Sequence, residues 1–166
     1  YGINMATSLI ATGAIKNALV VGSEMLSREV NWKDRTSCIL FGDGCGVAVI
    51  GQTNRDDSSC ILSTHLGADG TGKDFFDQSI GGAITPITEQ HLKDGSHYMK
   101  MRGREMFKVA TRTLAENAKI VCEKANIPLE EVDWLVPHQA NIRIIETTGK
   151  LLKFPPEKVI INIEKY

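Results

Sequence analysis

The chain has 166 residues, of which 42% are hydrophobic and 23% charged, and its net charge is −1 at pH 7. This near-neutral charge argues against a nucleic-acid or membrane partner recruited by bulk electrostatics. No apolar run approaches the length of a bilayer span and no basic segment precedes an apolar stretch, so the sequence predicts a globular, cytoplasmic protein without an anchor or signal peptide.

The first part of the chain alternates helical and strand-like patterns. Residues 1–15 carry apolar side chains at helical spacing and predict a helix. The continuous apolar run at residues 18–23 predicts a strand that is buried on both faces. Residues 47–50 predict a second strand, which follows the glycine-rich residues 42–46.

A polar segment then separates the two parts. Residues 53–58 are typical of a connector. We place a boundary there between one domain at residues 1–55 and another at residues 56–166. Because the chain starts inside a helical pattern and stops after a strand-like one, we expect it to be an internal fragment of a longer protein.

The second part continues the alternation of strands and helices. We predict, in order, a strand at residues 60–65, a glycine-rich surface loop at 67–82, a helix at 101–125, a strand at 132–136, a helix at 141–152 and a strand at 159–163. Strands that alternate with helices predict an α/β fold with largely parallel strand pairing.

Two motifs point away from common chemistries. The glycines at residues 42–46 precede a strand-like run, whereas a dinucleotide-binding loop precedes a helix, so phosphate binding there is disfavoured. The four cysteines (Cys38, Cys45, Cys60 and Cys122) lie in apolar patterns without metal-ligand spacing. We therefore expect reduced, buried thiols, no zinc site, and no activated nucleophile at Cys38 or Cys45.

Two basic helix faces leave two interpretations open. Arg104, Lys108 and Arg112 recur every four residues, and Arg143 and Lys150 lie seven apart on the next predicted helix. Such faces can simply be solvated. Alternatively, they dock a small acidic partner or the phosphorylated arm of a cofactor.

His138 is the main catalytic candidate. It follows the predicted strand 132–136, and open α/β sheets place their chemistry at the carboxyl ends of strands. A single histidine near a strand end is also often a hydrogen-bonded structural group, so the pattern alone does not decide between the two.

Several segments together resemble one enzyme family. They are residues 18–23, 34–35, 41–44, 66–70, 101–110 and 133–141, and the most specific is the run from Val136 to Asn141, Val-Pro-His-Gln-Ala-Asn. The chain thereby resembles the β-ketoacyl-acyl-carrier-protein synthase III family of the thiolase superfamily. This resemblance implies a thiolase-like, layered αβαβα fold of the α/β class, with the end of the N-terminal half and most of the C-terminal half present.

The resemblance also implies a catalytic set. His138 matches the family's histidine, whereas its nucleophilic cysteine is expected shortly before Tyr1 and its asparagine directly after Tyr166. The implied reaction is a decarboxylating condensation of a short acyl-coenzyme A with malonyl-carrier protein, through an acyl-cysteine, at the start of fatty-acid synthesis. The implied partners are acyl carrier protein, acyl-coenzyme A and a second copy of the protein, with no cofactor and no metal.

Individual positions carry further implied roles. The resemblance assigns coenzyme A adenine stacking to Arg35, the pantetheine channel to Gly103, Arg104, Phe107, Ala140 and Asn141, the acyl pocket to Leu26, Leu40 and Phe41, and carrier-protein docking to Lys108, Arg143 and Lys150. Some members have asparagine where this chain has Arg104, so the contact made by Arg104 stays open.

Two other functions remain possible from the sequence. One is a condensing enzyme of secondary metabolism that makes quinolones, polyketide starters or olefin precursors. The other is a catalytically silent subunit that binds a dimer partner or a carrier protein. Whichever of these functions the whole protein has, the synthase included, we expect the isolated fragment to be inactive and prone to aggregation, because strands without neighbours expose backbone groups and apolar faces.

Overall fold

A computed structural model describes residues 1–53 and 59–165. Most of the predicted connector, with the boundary between residues 55 and 56, lies outside the described residues. The helices and strands, in chain order, are α1 (Gly2–Ala11), β1 (Asn17–Met25), β2 (Asp43–Gly51), β3 (Phe76–Asp77), α2 (Glu89–Asp94), β4 (Lys100–Met101), α3 (Gly103–Ala125) and α4 (Ile142–Leu152). None of the helices in the described residues is both long and apolar enough to cross a membrane.

The described residues form two compact units. Unit 1 contains Tyr1–Glu24, Asn117–Val132 and the described part of Gly44–Ala68. Unit 2 contains Met25–Asp43, Asp69–Glu116 and Asp133–Tyr166, apart from Tyr166 itself, which is not described. Every residue to which the sequence assigned a site role lies in unit 2.

Unit 1 contains α1 and most of the sheet formed by β1 and β2. The helix ends at Ala11, before the predicted residue 15, because the chain turns at Gly13 with a φ of 75°. The two strands run in opposite directions, since Gln52 N donates to Lys16 O while Gly44 lies beside Glu24. The predicted burial of β1 on both faces is wrong: Leu19 is 66% exposed, and only Ala18 and Val20, on the other face, are half-buried.

The predicted strand at residues 60–65 is absent from the structure. This segment is anchored by side chains instead of by a ladder. Ser63 Oγ donates to Val121 O at 2.7 Å, and Asn4 Nδ2 donates to Thr64 Oγ1 at 2.6 Å. A strand-like sequence does not form a strand unless another backbone pairs with it.

The first segment of unit 2 is closed by hydrogen bonds between Ser27 and Asp43. Asp43 Oδ1 accepts from Ser27 N at 2.8 Å, and Asp43 Oδ2 accepts from Ser27 Oγ at 2.7 Å. These backbone and side-chain hydrogen bonds lower the pKa of Asp43. The intervening residues bury a small core of Val30 and Cys38 with Met99.

The strand pairing in unit 2 differs from the prediction of largely parallel strands. β3 pairs antiparallel with β4, with Phe76 opposite Met101. The predicted strands 132–136 and 159–163 are reduced to one parallel bridge between Leu135 and Val159. The predicted surface loop at residues 67–82 contains a short 3₁₀ helix, Gly70–Phe75, and β3.

The two long helices of the C-terminal part are confirmed. α3 begins at Gly103, two residues after the predicted start. α4 begins after Asn141, whose side chain accepts from Arg143 N at 2.9 Å and so caps the helix. The buried face of α4 includes Ile145 and Leu152, and it packs the helix against the rest of unit 2.

Candidate active site

His138 lies between a strand bridge and a helix start. Leu135 N donates to Lys158 O, and Ile160 N donates to Leu135 O, both at 2.9 Å. Pro137 is buried, whereas His138 is exposed. Asn141 then caps α4. The backbone is therefore fixed on both sides of His138, by the bridge at Leu135 and by the cap at Asn141.

Gln139, which sequence reasoning did not single out, fixes this turn. Its Nε2 donates to the carbonyl oxygens of Pro137 and Ile160 at 3.0 Å each. Its Oε1 accepts from Asn162 N at 2.9 Å. The available signal was a carboxamide two residues after a proline, beside the candidate histidine.

A shallow cavity of about 250 Å³ borders His138. Its other lining residues are almost all apolar, and they come from α3 and from the beginning of α4: Met106, Val109, Ala110, Thr113, Leu114, Ala140 and Ile144. The imidazole is therefore a single polar ring against apolar side chains.

The predicted channel residues gather at the starts of α3 and α4. Gly103 and Arg104 open α3, and Phe107 follows one turn later. The Arg143 guanidinium lies over the Phe107 ring, 5.8 Å from its centroid, which is within the range of a cation–π contact. Ala140 lies beside His138 in the cavity described above.

Arg35 is exposed on a turn that a neighbouring carboxylate organises. Asp34 Oδ1 accepts from Thr36 Oγ1 at 2.6 Å and from Thr36 N at 3.0 Å, and Asp34 Oδ2 accepts from Ser37 Oγ at 2.7 Å. The hydrogen bond from the Thr36 hydroxyl, followed by those from Ser37 and the Thr36 backbone, lowers the pKa of Asp34. No hydrogen bond or ion pair joins Arg35 to the other predicted channel residues in the part of the chain that the structure describes.

Two of the three predicted acyl-pocket residues pack together. Leu26 and Phe41 both pack against the core of Val30, Cys38 and Met99. Leu40 is half-buried at the end of the 3₁₀ helix Cys38–Leu40. Phe41 also stacks on the Phe76 ring, with centroids 5.5 Å apart.

Sequence reasoning missed Met99 in this group. It is only 6% exposed, and Met99 N donates to Glu29 O at 3.0 Å. The signal that could have found it is the alternation of Met99, Lys100 and Met101 before α3, because residues two apart share one face of an extended chain.

The predicted docking residues Lys108, Arg143 and Lys150 are exposed on α3 and α4. Within residues 1–53 and 59–165, the ion pairs are Lys93 with Glu89 and Arg112 with Glu116. Arg112 therefore has a carboxylate partner on its own helix at 2.7 Å. The three docking candidates have none there, so their charges are available to a partner.

The cysteines differ from one another in exposure. Cys38 is buried, as expected, whereas Cys122 is half-buried and Cys45 and Cys60 are exposed, which corrects the expectation of four buried thiols. Cys45 lies in the exposed first part of β2, which is half-buried only at Ala48 and Ile50. All four thiols are free, and no group of three or more His, Cys, Asp or Glu side chains within the described ranges could hold a metal ion.

Comparison with known families and proteins identifies relatives of the chain. Residues 1–70 match the family model 3-oxoacyl-[acyl-carrier-protein] synthase III, and residues 122–166 match the model of its C-terminal part. β-Ketoacyl-[acyl-carrier-protein] synthase III of Clostridioides difficile (strain 630) is 44% identical over 166 residues, which are 100% of this chain and 50% of that protein. The chain spans about half the length of the curated relatives it matches.

Solved structures give the same result. The 3-oxoacyl-[acyl-carrier-protein] synthase III of Aquifex aeolicus VF5 matches with a TM-score of 0.85 at 41% identity, over 100% of this chain and 48% of that one. The synthase III of Thermus thermophilus matches with a TM-score of 0.84 at 36% identity, over 100% of this chain and 50% of that one. The predicted family and the predicted thiolase-like α/β fold are confirmed.

Proposed function

Because the chain belongs to the 3-oxoacyl-[acyl-carrier-protein] synthase III family, we propose that the whole protein starts fatty-acid synthesis by a decarboxylating condensation. A short acyl group passes from coenzyme A to a cysteine of the whole protein and is then joined to malonyl-carrier protein, with loss of carbon dioxide. The product is a 3-oxoacyl-carrier protein. The observation that carries this proposal is the exposed His138 at the turn that the family resemblance marks as catalytic.

His138 acts in the second half of the reaction. As carbon dioxide leaves, the electron pair of the breaking carbon–carbon bond moves onto the thioester oxygen of the malonyl group. A neutral imidazole N–H directed at that oxygen stabilises the developing negative charge. The apolar lining beside the exposed His138 suits this role once the substrate covers the ring, since a hydrogen bond to a charged oxygen is stronger where water is excluded.

The coenzyme A arm approaches at the beginning of α3. A Cβ added at Gly103 would meet only Met101 Cε, at 3.9 Å, so the packing of the described residues does not require glycine. We attribute the glycine to close approach of the pantetheine chain, beside Arg104, Phe107, Ala140 and Asn141. Arg35 provides a planar guanidinium that stacks on the adenine ring.

The acyl group lies in the pocket of Leu26, Leu40 and Phe41. The packing of Met99 against Leu26 and Phe41 supports its inclusion in that pocket. The carrier protein docks on Lys108, Arg143 and Lys150, because exposed cations without a carboxylate partner attract an acidic surface. A homodimer and a cytoplasmic location complete the proposal, and the mass of the whole protein in analytical ultracentrifugation tests the dimer.

His138→Ala in the whole protein tests the assigned reaction. We expect the rate of malonyl decarboxylation to fall by about two to three orders of magnitude, the usual effect of losing one donor to a developing oxyanion. Transfer of the acyl group from coenzyme A to the enzyme stays measurable. The two half-reactions are followed by carbon dioxide release and by mass spectrometry of the acylated protein.

The matched control is His65→Ala, which removes a half-buried histidine of unit 1. Its decarboxylation rate should remain that of the unaltered protein. Normal decarboxylation by the His138 variant would refute the proposed role, and a whole protein without either half-reaction would refute the proposed function.

A further inference from the structure

The parallel pairing around Leu135 stops at Pro137 for a chemical reason. In a parallel ladder, a paired residue donates its N–H to the residue before its partner and accepts, at its C=O, from the residue after that partner. Leu135 follows this pattern, because it donates to Lys158 O and accepts from Ile160 N. The next rung would need residue 137 to donate to Ile160 O and to accept from Asn162 N, and a proline has no N–H to donate.

The side chain of Gln139 makes the two bonds of that missing rung. Its Nε2 donates to Ile160 O at 3.0 Å, and its Oε1 accepts from Asn162 N at 2.9 Å. The same Nε2 donates to Pro137 O at 3.0 Å. A side-chain carboxamide thus takes the place of the peptide group that Pro137 cannot supply.

This arrangement allows the chain to leave the line of the strand without losing register. With the rung supplied by Gln139, the backbone turns at Pro137, His138 is exposed, and α4 begins after Asn141. His138 lies between Pro137 and Gln139. The Gln139 side chain bonds to Pro137 O and to the backbone of Ile160 and Asn162, so both residues that flank His138 are fixed against residues 160–162.

We infer that Gln139 is a positioning residue for His138, and that its carboxamide holds the imidazole at the angle required for malonyl decarboxylation. This inference rests on the proposed function. Gln139 touches no reacting atom in this role. It acts through the backbone of Pro137 and through residues 160–162, and small displacements of a catalytic group are costly in rate.

Gln139→Met in the whole protein is the first test, because methionine has a similar length and no amide. We expect the decarboxylation rate to fall about ten- to a hundredfold, the scale of an error of about 1 Å in position. Acyl transfer from coenzyme A should be unchanged. Gln90→Met, the same substitution at an exposed glutamine of α2, is the control and should alter neither half-reaction.

A rescue variant separates positioning from general damage. Pro137→Ala restores a backbone N–H at the point where the ladder is interrupted. In the Gln139→Met background this second substitution should recover part of the lost decarboxylation rate, since residue 137 can then bond to Ile160 O itself. An equal fall of both half-reactions in Gln139→Met, or no recovery in the double variant, would overturn the inference.

Amide hydrogen exchange gives a readout that does not need activity. The Asn162 N–H, which bonds to Gln139 Oε1, should exchange faster in Gln139→Met than in the unaltered protein. Unchanged exchange at Asn162 would show that the carboxamide is not the rung. If the whole protein has neither half-reaction, the proposed function fails and the catalytic role of Gln139 fails with it, whereas the exchange result still decides whether the rung exists.

Discussion

Gly103 is the first residue of α3, and the space above its Cα is open. Alanine is a better helix former than glycine, so the helix alone would favour a side chain there. The packing of the described residues therefore gives no reason for a glycine at this position. The proposed approach of the pantetheine chain to the backbone would give one.

Gly103→Ala should consequently separate binding from stability. We expect KM for acyl-coenzyme A to rise at least about fivefold, because a methyl group forced into a fitted space costs about 1–3 kcal/mol. The free energy of unfolding should stay the same or rise by up to about 1 kcal/mol. Steady-state kinetics and urea unfolding measure the two effects.

The control for this substitution is Gly70→Ala, at a glycine whose added Cβ would meet nothing within 4 Å. It should leave KM unaltered. An unchanged KM in Gly103→Ala would remove the reason to place the pantetheine chain at this helix start.

Asp34 makes the turn that carries Arg35 sensitive to acid. Its folded pKa is lowered, chiefly by the hydrogen bond from the Thr36 hydroxyl, so the carboxylate stabilises the fold at pH values above the unfolded pKa of 3.8. The contribution is lost as the pH falls through the lower, folded pKa. Asp34→Asn should therefore lower Tm near neutral pH and have little effect on Tm at a pH below the folded pKa of Asp34.

Thermal melts of both proteins from pH 7 down to pH 2.5 or so check this expectation. Asp74→Asn, at an exposed aspartate outside the turn, is the control. A difference in Tm between the Asp34 variant and the unaltered protein that stays constant across the whole range would contradict the assigned titration.

Two buried threonines on different helices are opposite cases of one rule. Thr148 on α4 is 1% exposed, and its hydroxyl oxygen has no hydrogen-bond partner among the described residues. Thr111 on α3 is 5% exposed, and its Oγ1 donates to Phe107 O at 2.9 Å. A buried hydroxyl stabilises the fold only when it is bonded.

Thr148→Val should raise the free energy of unfolding by about 1 kcal/mol, because it removes an unsatisfied polar atom and keeps the side-chain shape. Thr111→Val, the matched substitution, should lower it by about 1 kcal/mol through loss of a satisfied hydrogen bond. Urea denaturation of the whole protein measures both. A loss of stability in both variants would mean that Thr148 finds a partner outside the described residues.

Helices of this chain could be predicted from sequence because their signals are local. The amphipathic period located α3, and Asn141 marked the start of α4. The short helix α2 was missed, although Thr88 caps it by accepting from His91 N and Gly95 ends it with a φ of 73°. The cap partner there is His91, instead of the Glu or Gln that the usual motif has.

Strands were predicted less well because pairing is not local. Residues 60–65 and 132–136 have strand-like composition, yet the structure gives the first no ladder and the second one bridge. The site followed the same division. His138 could be selected as a candidate from the residues beside it, whereas the contacts of Gln139 and Met99 join residues distant in sequence.

At the scale of the whole chain, the net charge is only −1, so it does not by itself attract an acidic partner. The predicted docking cations Lys108, Arg143 and Lys150 all belong to unit 2, together with every other predicted site residue. One unit of this chain therefore combines the proposed catalytic histidine with the surface proposed to receive the acidic substrate carrier.

Lys108→Glu should raise KM for malonyl-carrier protein about fivefold while leaving KM for acyl-coenzyme A unchanged, since an exposed ion pair is worth up to about 1 kcal/mol. The difference should shrink as salt is added, because salt screens exposed charges. Kinetics at several salt concentrations measure this.

Lys93→Glu is the matched charge reversal. Lys93 is exposed on α2 and paired with Glu89 at 3.6 Å. Lys93→Glu should not alter KM for the carrier protein. Equal effects of the two reversals would indicate a response to net charge and not to a docking surface.

The interrupted ladder beside His138 also has a consequence for how this protein can evolve. Pro137 and Gln139 solve one problem together, since the first removes a backbone donor and the second replaces it. A substitution that restores an N–H at position 137 introduces a competitor for Ile160 O, and a substitution at position 139 leaves that carbonyl unpaired. Natural variation at the two positions should therefore be correlated, so that a lineage changes both or neither.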